Sequence, residues 1–551
     1  MMYRVSSWIV AFMLVPTFII TAQEPAKTSD DGASTIFDQI KIELLDLREL
    51  GEDVDKNLVG EAYRLSLEEC ILLALVNNKD IEIVKFETLL ADADLLSAKG
   101  IFDPTFSALI NHDDSANPPS PTEEVFGGFS ESIESKSTNY QLKLDGLLTY
   151  WGTRYSVDYG VNREIGTYTT NPITDERLSI YTGGLTTTLT QPLLRGRGTD
   201  INKVYIRTAE NSQKIADAEV RRVALQTLSM TVQAYWDLVG AIQNLDVRKQ
   251  SLDNALRLVK INERRLEIGT AAAIEVLQAK AEAASRQSDF IVARMNILDA
   301  EDILKNYILP EDIKNFISMS ILPTTRPSQP TYKWNLERSI QTALTHRPEL
   351  ESAMLSVENA NLEVGRTKNE NLPQLDANLS YVQSTRNFDH GKIPEGIRDK
   401  DGHRWVLGLS GSFPIGNRNA KGAHIRAEQL ERQQQRRLAK TKQDVEVEVR
   451  QAVRGIVTSE ILIESNRQAR ILQEANVVAE EKRLNLGVTT SQDVLDRQED
   501  LTAAQTQELQ SVVDYEKSLV QLQLAEGTLL DQLNINWDGL EERPLSTVAP
   551  E

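Results

Sequence analysis

The chain carries one pattern of residues twice, end to end, and that repetition limits its fold more than any single motif does. Leu67-Glu68, Ala74-Leu75, Asp80-Ile81, Pro104 and Phe106 follow one another at the same intervals as Leu336-Glu337, Ala343-Leu344, Glu349-Leu350, Pro373 and Leu375, a constant shift of 373 − 104 = 269. Farther on, Arg265-Leu266, Gly269 and Val276-Leu277 match Arg483-Leu484, Gly487 and Val494-Leu495 at a shift of 487 − 269 = 218. The shift falls by 269 − 218 = 51 because the first copy holds a longer β segment. Each copy reads as a short helix, a β segment and two very long helices. The first copy covers 64–310, with its β segment at about 104–192 and its helical hairpin at about 200–308. The second covers 335–535, with a β segment at about 373–414 and a hairpin at about 420–533. Residues 311–334 link the copies and 536–551 form a tail.

The long helices announce themselves by spacing. Leu228, Val232, Tyr235, Val239, Ile242 and Leu245, then Leu252, Leu256 and Val259, follow in steps of four and three, with Lys249 as the one exception in type. That is a coiled-coil seam held over several heptads. Helix-compatible sequence extends from about Ile201 to Leu266, which at 1.5 Å per residue is roughly 100 Å of helix. Similar stretches run from about Ala272 to Ile308, Ala420 to Leu486 and Ser491 to Leu533. Four helices therefore make two antiparallel hairpins, turning at Gly269 and Gly487, where glycine allows the left-handed end of a helix.

Between the helices the period changes to two. Tyr155, Val157, Tyr159 and Val161 alternate with Ser156, Asp158, Gly160 and Asn162, while Tyr140, Leu142 and Leu144 alternate with Gln141, Lys143 and Asp145. Shorter versions occur at Phe106 to Ile110, Leu185 to Leu189, Leu375 to Tyr381 and Trp405 to Phe413, separated by the polar stretches Asn111 to Lys136 and Arg386 to His403. Strands with one apolar and one polar face suit a membrane barrel or a soluble sandwich. Two or four strands per copy cannot close a barrel within one chain, and an open edge is intolerable in lipid, so closure needs several chains.

The ends favour the barrel. Met1 to Ala22 has Arg4 in a short basic start, an apolar run from Trp8 to Ile20 and a small-residue site at Ile20-Thr21-Ala22, the pattern of a secretory signal peptide over 1–22. Residues 23–63 are polar and acidic and read as a partly disordered leader. The single cysteine, Cys70, excludes an intramolecular disulfide and sits on the apolar face of a predicted helix; with none at the cleavage point, an unlipidated chain is expected. The balance of 81 acidic against 60 basic residues argues against a nucleic-acid partner. His112, His346, His390, His403 and His424 show no metal-ligand spacing, so neither a metal, a cofactor nor a catalytic group is expected.

Together, in order and duplicated, these motifs resemble the TolC family of outer-membrane efflux proteins over about 64–535. The resemblance rests on Leu65-Ser66-Leu67-Glu68-Glu69 through Ala74-Leu75 to Asn77-Asn78, on Thr190-Gln191-Pro192-Leu193-Leu194-Arg195-Gly196, and on the Gly487 turn leading to Asp493-Val494-Leu495-Asp496. It implies an α+β membrane protein: a homotrimer whose long helices form a coiled-coil barrel across the periplasm, joined to one shared transmembrane β-barrel in outer-membrane lipid. Family members with the shortest β segments supply four strands per chain, twelve in all. The first copy here has room for an additional hairpin near 137–163, turning at Trp151-Gly152-Thr153, whose place spacing alone leaves open.

The resemblance also implies a function: a passive duct for efflux or type I secretion, gated at its periplasmic end, working with a periplasmic adaptor and an energised inner-membrane transporter. The competing reading is a non-transporting coiled-coil scaffold of the cell envelope. For the duct, Asp493 and Asp496 match the aspartates that ring the entrance, where like-charge repulsion raises some carboxylate pKa values. On spacing alone the two are also a solvated pair at a helix start. Glu275 and Gln278 hold the equivalent places in the first copy. The tips at Gly269-Thr270 and Gly487-Val488 match the docking points for the adaptor. Leu484 and Thr489 stand where the family has its tyrosine and arginine latch, so the latch does not carry over and closure falls to apolar contact or other polar pairs.

Overall fold

The computed structural model describes residues 63–118, 133–166, 179–308, 320–327 and 335–532. The chain divides into a unit Met1–Tyr63 and a unit Arg64–Glu551, and the second is described here. The expected signal peptide, the leader and the tail lie outside the described residues, as does most of the linker 311–334.

After a short strand β1 (Tyr63–Leu65) come α1 (Leu67–Asn77) and α2 (Lys79–Lys99), then four strands, β2 (Thr105–Asn117), β3 (Ile133–Leu147), β4 (Arg154–Gly166) and β5 (Ile180–Pro192). A single turn α3 (Thr199–Asn202) leads into α4 (Val204–Glu267), which folds back as α5 (Ala273–Ile308). The same order then recurs: β6 (Ile321–Pro323), α6 (Leu336–His346), α7 (Pro348–Glu370), β7 (Gln374–Asn387), a short α8 (Ile393–Asp399), β8 (Gly402–Ser412), and the hairpin α9 (Arg418–Asn485) with α10 (Ser491–Glu526). The last helix stops at Glu526 rather than running on to Leu533, because Gly527 takes φ +75° and ends it before the single turn α11 (Leu529–Gln532).

The opening motif of the first part is a helix start. Ser66 caps α1 by accepting from the Glu69 amide, while the Glu69 carboxylate receives the Ser66 amide at 2.7 Å, a reciprocal capping box that holds the Glu69 carboxyl below its usual range. Cys70, Ile71, Ala74 and Leu75 of α1 then bury against α4, and burial pushes the Cys70 thiol up to about 12, leaving it inert.

The coiled-coil seam of α4 is only part of what it buries. Between Ala224 and Val239 it is closed in from several sides, with Leu225, Thr227, Ser229, Ala234, Trp236 and Leu238 buried beside the predicted Leu228, Val232, Tyr235 and Val239. Helix α5 and strand β6 supply Ile297, Leu304, Ile308 and Ile321 to this core, and α10 supplies Val513 and Val520. The Tyr235 hydroxyl donates to the Leu65 carbonyl at 3.3 Å and accepts from the Thr325 amide at 2.9 Å, tying the buried helix to the chain that crosses it. A second core, with Val445, Val449, Val453 and Ile456 of α9 against Leu350, Tyr515 and Leu522, serves the other hairpin.

Six strands form one antiparallel sheet in the order β2-β3-β4-β5-β7-β8. The additional hairpin is therefore inside the sheet: β3 pairs with β2 from Thr105↔Asp145 to Asn117↔Ile133, and β4 pairs with β5 from Arg154↔Thr190 to Glu164↔Ile180. Strands β5 and β7, one from each part of the chain, pair from Tyr181↔Asn387 to Pro192↔Asp376. Following the registers across the sheet puts Phe106, Ile110, Leu142, Leu144, Tyr155, Val157, Leu185, Leu189, Leu379, Tyr381, Trp405 and Leu407 on one face. The other face carries Ser107, Gln141, Asp158, Asn162, Thr186, Thr188, Asn378, Ser380 and Ser410.

Two sequence expectations change here. The polar stretch after Ile110 is not a connection, because β2 continues to Asn117 and pairs throughout. Its residues are polar on both faces, with Lys136 bridging Asp114 at 2.8 Å on the otherwise apolar side, so alternation could not reveal them. The stretch after Arg386 contains α8, whose Ile393 and Ile397 bury against Val161, with Tyr159, Tyr181 and Leu185 alongside. Gly183 makes room for it: a Cβ there would lie 2.2 Å from Ile393 Cγ2.

Candidate functional site

The far ends of the two hairpins are built alike. After α4 the Gly269 amide donates to the Leu266 carbonyl at 2.9 Å and the Thr270 amide to the Arg265 carbonyl at 2.7 Å. After α9 the Gly487 amide donates to Leu484 and the Val488 amide to Arg483, both at 3.0 Å. Each is a Schellman close with its glycine left-handed, φ +78° and +72°. Apolar side chains stand exposed around both turns, with Ile268 at 74 % and Leu486 at 78 % exposure and Ile274, Leu277 and Val488 beside them.

The side chains that follow the turns do different work. Thr490 caps α10, and the Asp493 carboxylate receives the Thr490 amide at 3.0 Å and its hydroxyl at 2.7 Å. The Thr489 hydroxyl lies 2.8 Å from the same carboxylate and 2.5 Å from Glu480 Oε1. The hydrogen bonds from Thr490 and Thr489 pull the Asp493 carboxyl down to about 2. Within the chain, then, hydrogen bonding lowers this pKa, opposite to the rise expected from like charges. Asp496 is also exposed, accepting from the Gln492 amide at 2.8 Å.

Glu275 does not mirror Asp493. Its carboxylate faces the Ser491 hydroxyl at 3.4 Å, and that hydroxyl donates to Asn262 Oδ1 at 2.8 Å, while the Asn262 amide lies 3.5 Å from the Glu275 carbonyl. Asn262 is fully buried, so this cluster pins the second hairpin against the first. Gln278, a turn farther on, is exposed.

Leu484, one of the two departures from the latch pattern, is buried with Leu258, Val494 and Leu495, an apolar contact between the hairpins. Thr489, the other, is bound to the second tip itself. Above the tips the contact between α4 and α10 continues through polar pairs: Ser251 with Thr502 at 3.2 Å, Asn244 with Thr506 at 3.5 Å, and Asp237 with Lys517. Inside the first hairpin Ala255, Val259, Ala279 and Ala283 close part of the seam, flanked by ion pairs from Lys280 to Glu263 at 2.7 Å and from Arg248 to Asp289 at 3.3 Å. Among the described residues no group of His, Cys, Asp or Glu is placed to hold a metal ion, and no helix is long and apolar enough to cross a membrane.

Sequence reasoning found the tips and the exposed carboxylates and missed Asn262, Ser251, Asn244 and Ser491. Their one signal is polar residues on the otherwise apolar flank of a coiled-coil helix.

A family model described as outer membrane efflux protein matches residues 155–308 and 339–528. The outer membrane protein TolC of Vibrio cholerae is 22% identical over 339 residues, 60% of this chain and 74% of that protein. The outer membrane efflux protein BepC of Brucella suis is 26% identical over 379 residues, 66% of this chain and 76% of that protein. The crystal structure of the CmeC outer membrane channel of Campylobacter jejuni superposes with a TM-score of 0.61 at 18% identity, covering 84% of this chain and 86% of that one. With long helical hairpins, a two-faced antiparallel sheet and a family match across most of both, the chain belongs to the outer membrane efflux protein family and its place is the outer membrane.

Proposed function

We propose that the chain is one protomer of a homotrimeric exit duct, passive in itself and gated at its periplasmic end, that receives cargo through a periplasmic adaptor from an energised inner-membrane transporter. The observation that carries this reading is the two-faced sheet mounted on the helical hairpins. Outside the patch that α8 covers, its apolar face suits hydrocarbon, and its hydroxyl- and amide-rich face suits a water-filled lumen. Tyr150 and Trp151 stand exposed at the helix-proximal turn of the sheet, where aromatic side chains mark a membrane–water boundary.

Apolar side chains left exposed on the helices fit packing against further copies. Ile83, Phe86 and Leu90 line one flank of α2, and Ile461 and Leu472 stand out on α9. In a trimer the tips converge, and three copies each of Asp493 and Asp496 would form a cation-favouring ring. The exposed Ile268, Leu277, Leu486 and Val488, beside turns at Gly269-Thr270 and Gly487-Val488, suit docking of an adaptor's own helical tips.

Gating would follow from the way the two hairpins are joined. The two helices of a hairpin are joined by their turn, whereas α4 and α10 are held near the tips by a small apolar contact and by hydrogen-bonded pairs, each pair contributing a net of about 1 kcal/mol. The second hairpin can then move away from α4 as a body, parting the contact of Leu258 with Leu484, Val494 and Leu495 and trading Asn262–Ser491 and Ser251–Thr502 for water. A coiled-coil scaffold of the envelope explains the hairpins and leaves the two-faced sheet without a use.

The test is single-channel conductance of detergent-purified protein in a planar bilayer, comparing wild type with Asp493→Asn/Asp496→Asn. Discrete cation-selective steps that lose selectivity in the variant are expected. Conductance indifferent to the substitutions would move the constriction elsewhere, and folded protein that never inserts would return the scaffold reading.

A further inference from the structure

We infer that the β3–β4 hairpin widens the membrane pore: three copies close one barrel of 3 × 6 = 18 strands, sealed by β8 of each copy against β2 of the next, and its lumen passes compact polypeptides as well as small molecules. The inference rests on the trimeric duct proposed above and deepens it by assigning the cargo class that the outer opening admits.

The first support is that the hairpin is paired along its whole length on both sides, to β2 and to β5, and does not lie over the sheet or against its rim. The second is parity. Strand β2 leaves the helical end of the sheet and β8 returns to it, because five antiparallel reversals, an odd number, separate the two. The β8 of one copy therefore meets the β2 of another antiparallel, as every internal pair does, and an odd number of strands would have broken the pattern. The third is the edges themselves. Phe106 and Ile110 on β2 and Trp405, Leu407 and Leu409 on β8 lie on the same apolar face, all exposed, with Leu407 at 82 %. Apolar side chains flanking unpaired backbone on both borders fit a second copy, since lipid tolerates no free strand edge.

Width follows from strand number. Neighbouring strands lie about 4.8 Å apart. At a tilt of about 40° an 18-stranded barrel has a backbone diameter of about 36 Å, against about 24 Å for twelve strands. The polar face mixes short side chains, among them Ser137, Ser156, Thr186, Thr188, Ser380 and Ser410, and the bare Gly160 and Gly184, with longer ones at Lys143, Arg154, Glu164 and Arg404. The outer opening then sets no tight size limit, and selection by size falls to the carboxylate-lined tips.

Two measurements test this on the full-length trimer. Ala108→Cys on β2, paired with Leu407→Cys or Leu409→Cys on β8, should give disulfide-linked dimers and trimers on non-reducing gels, with Cys70 silent because it is buried. A disulfide that forms only within one chain would overturn the shared seal. On the unmodified protein, uncharged polymers of graded size are added to the extracellular side of single channels. Entry of polymers about 25 Å across is expected, and exclusion of everything above about 15 Å would overturn the wide lumen even where the disulfide variants fail to fold. Failure of the underlying reading looks different: the unmodified protein would neither run as a trimer nor conduct.

Discussion

The two hairpin tips share a backbone and divide the labour. Both stop a long helix with a left-handed glycine and the same pair of amide-to-carbonyl bonds, and both leave apolar side chains in the open. Past the turn they part. The second tip spends its carboxylate on its own helix start and leaves Asp493 and Asp496 at the surface, whereas the first turns Glu275 inward to Ser491 and Asn262. One tip displays charge and the other holds on to its neighbour. A fold used twice need not do the same thing twice, and here the difference lies in which group each carboxylate has for a partner.

That contrast can be broken in the laboratory. The largest effect is expected from charge: Asp493→Asn/Asp496→Asn should remove most of the channel's cation preference in reversal-potential measurements, while Gln278→Ala at the first tip leaves it within twofold. Next comes the tether. Ser491→Ala leaves the buried Asn262 amide oxygen without its donor, a loss of about 1–3 kcal/mol. Hydrogen exchange should rise around 258–276 and 484–496 together, and a rise in one tip alone would mean that the hairpins are not tied there. Gly269→Ala and Gly487→Ala should each cost about 1–2 kcal/mol in thermal or denaturant unfolding, because a Cβ is unfavourable at positive φ. A Cβ at either glycine meets nothing within 4 Å, so the two costs should be equal, and a marked inequality would separate the tips at the level of backbone too.

The smallest effect concerns acid. The Asp493 carboxyl is depressed from its ordinary 3.8 to about 2 by Thr490 and Thr489, so what it adds to the stability of the tip is complete above 3.8 and lost as the pH falls through about 2. Thr489→Val/Thr490→Val should move the midpoint of that loss, followed by carboxylate NMR or by the pH dependence of selectivity, from about 2 up towards 3.8.

How much of this was legible in the residues depended on whether one face of an element differed from the other. Tyr140 to Asp145 and Tyr155 to Asn162 betray their strands because one face meets apolar surroundings, while Asn111 to Asn117 is polar on both sides and hides a strand just as regular. Helix α8 was missed inside a polar stretch, although Pro394 in its first turn and Ile393 and Ile397 four apart are a helix signal in miniature. Glycine made the tips readable, since few other residues end a helix that way. The tether was not, because Glu275 and Ser491 are 491 − 275 = 216 residues apart and meet only where two hairpins lie side by side.

The pairing of β5 with β7 has a consequence for how the protein is made. The joined residues lie between 376 − 192 = 184 and 387 − 181 = 206 positions apart, and the whole of α4 and α5 is threaded between them. Contacts so distant in sequence form slowly. As the chain emerges amino-terminus first, β2 to β5 are complete while their next strand is still unmade, so a half-built sheet waits with a bare, greasy border. Biogenesis must shelter that border, and any delay in delivering the second part of the chain should show first as aggregation rather than as a smaller working channel.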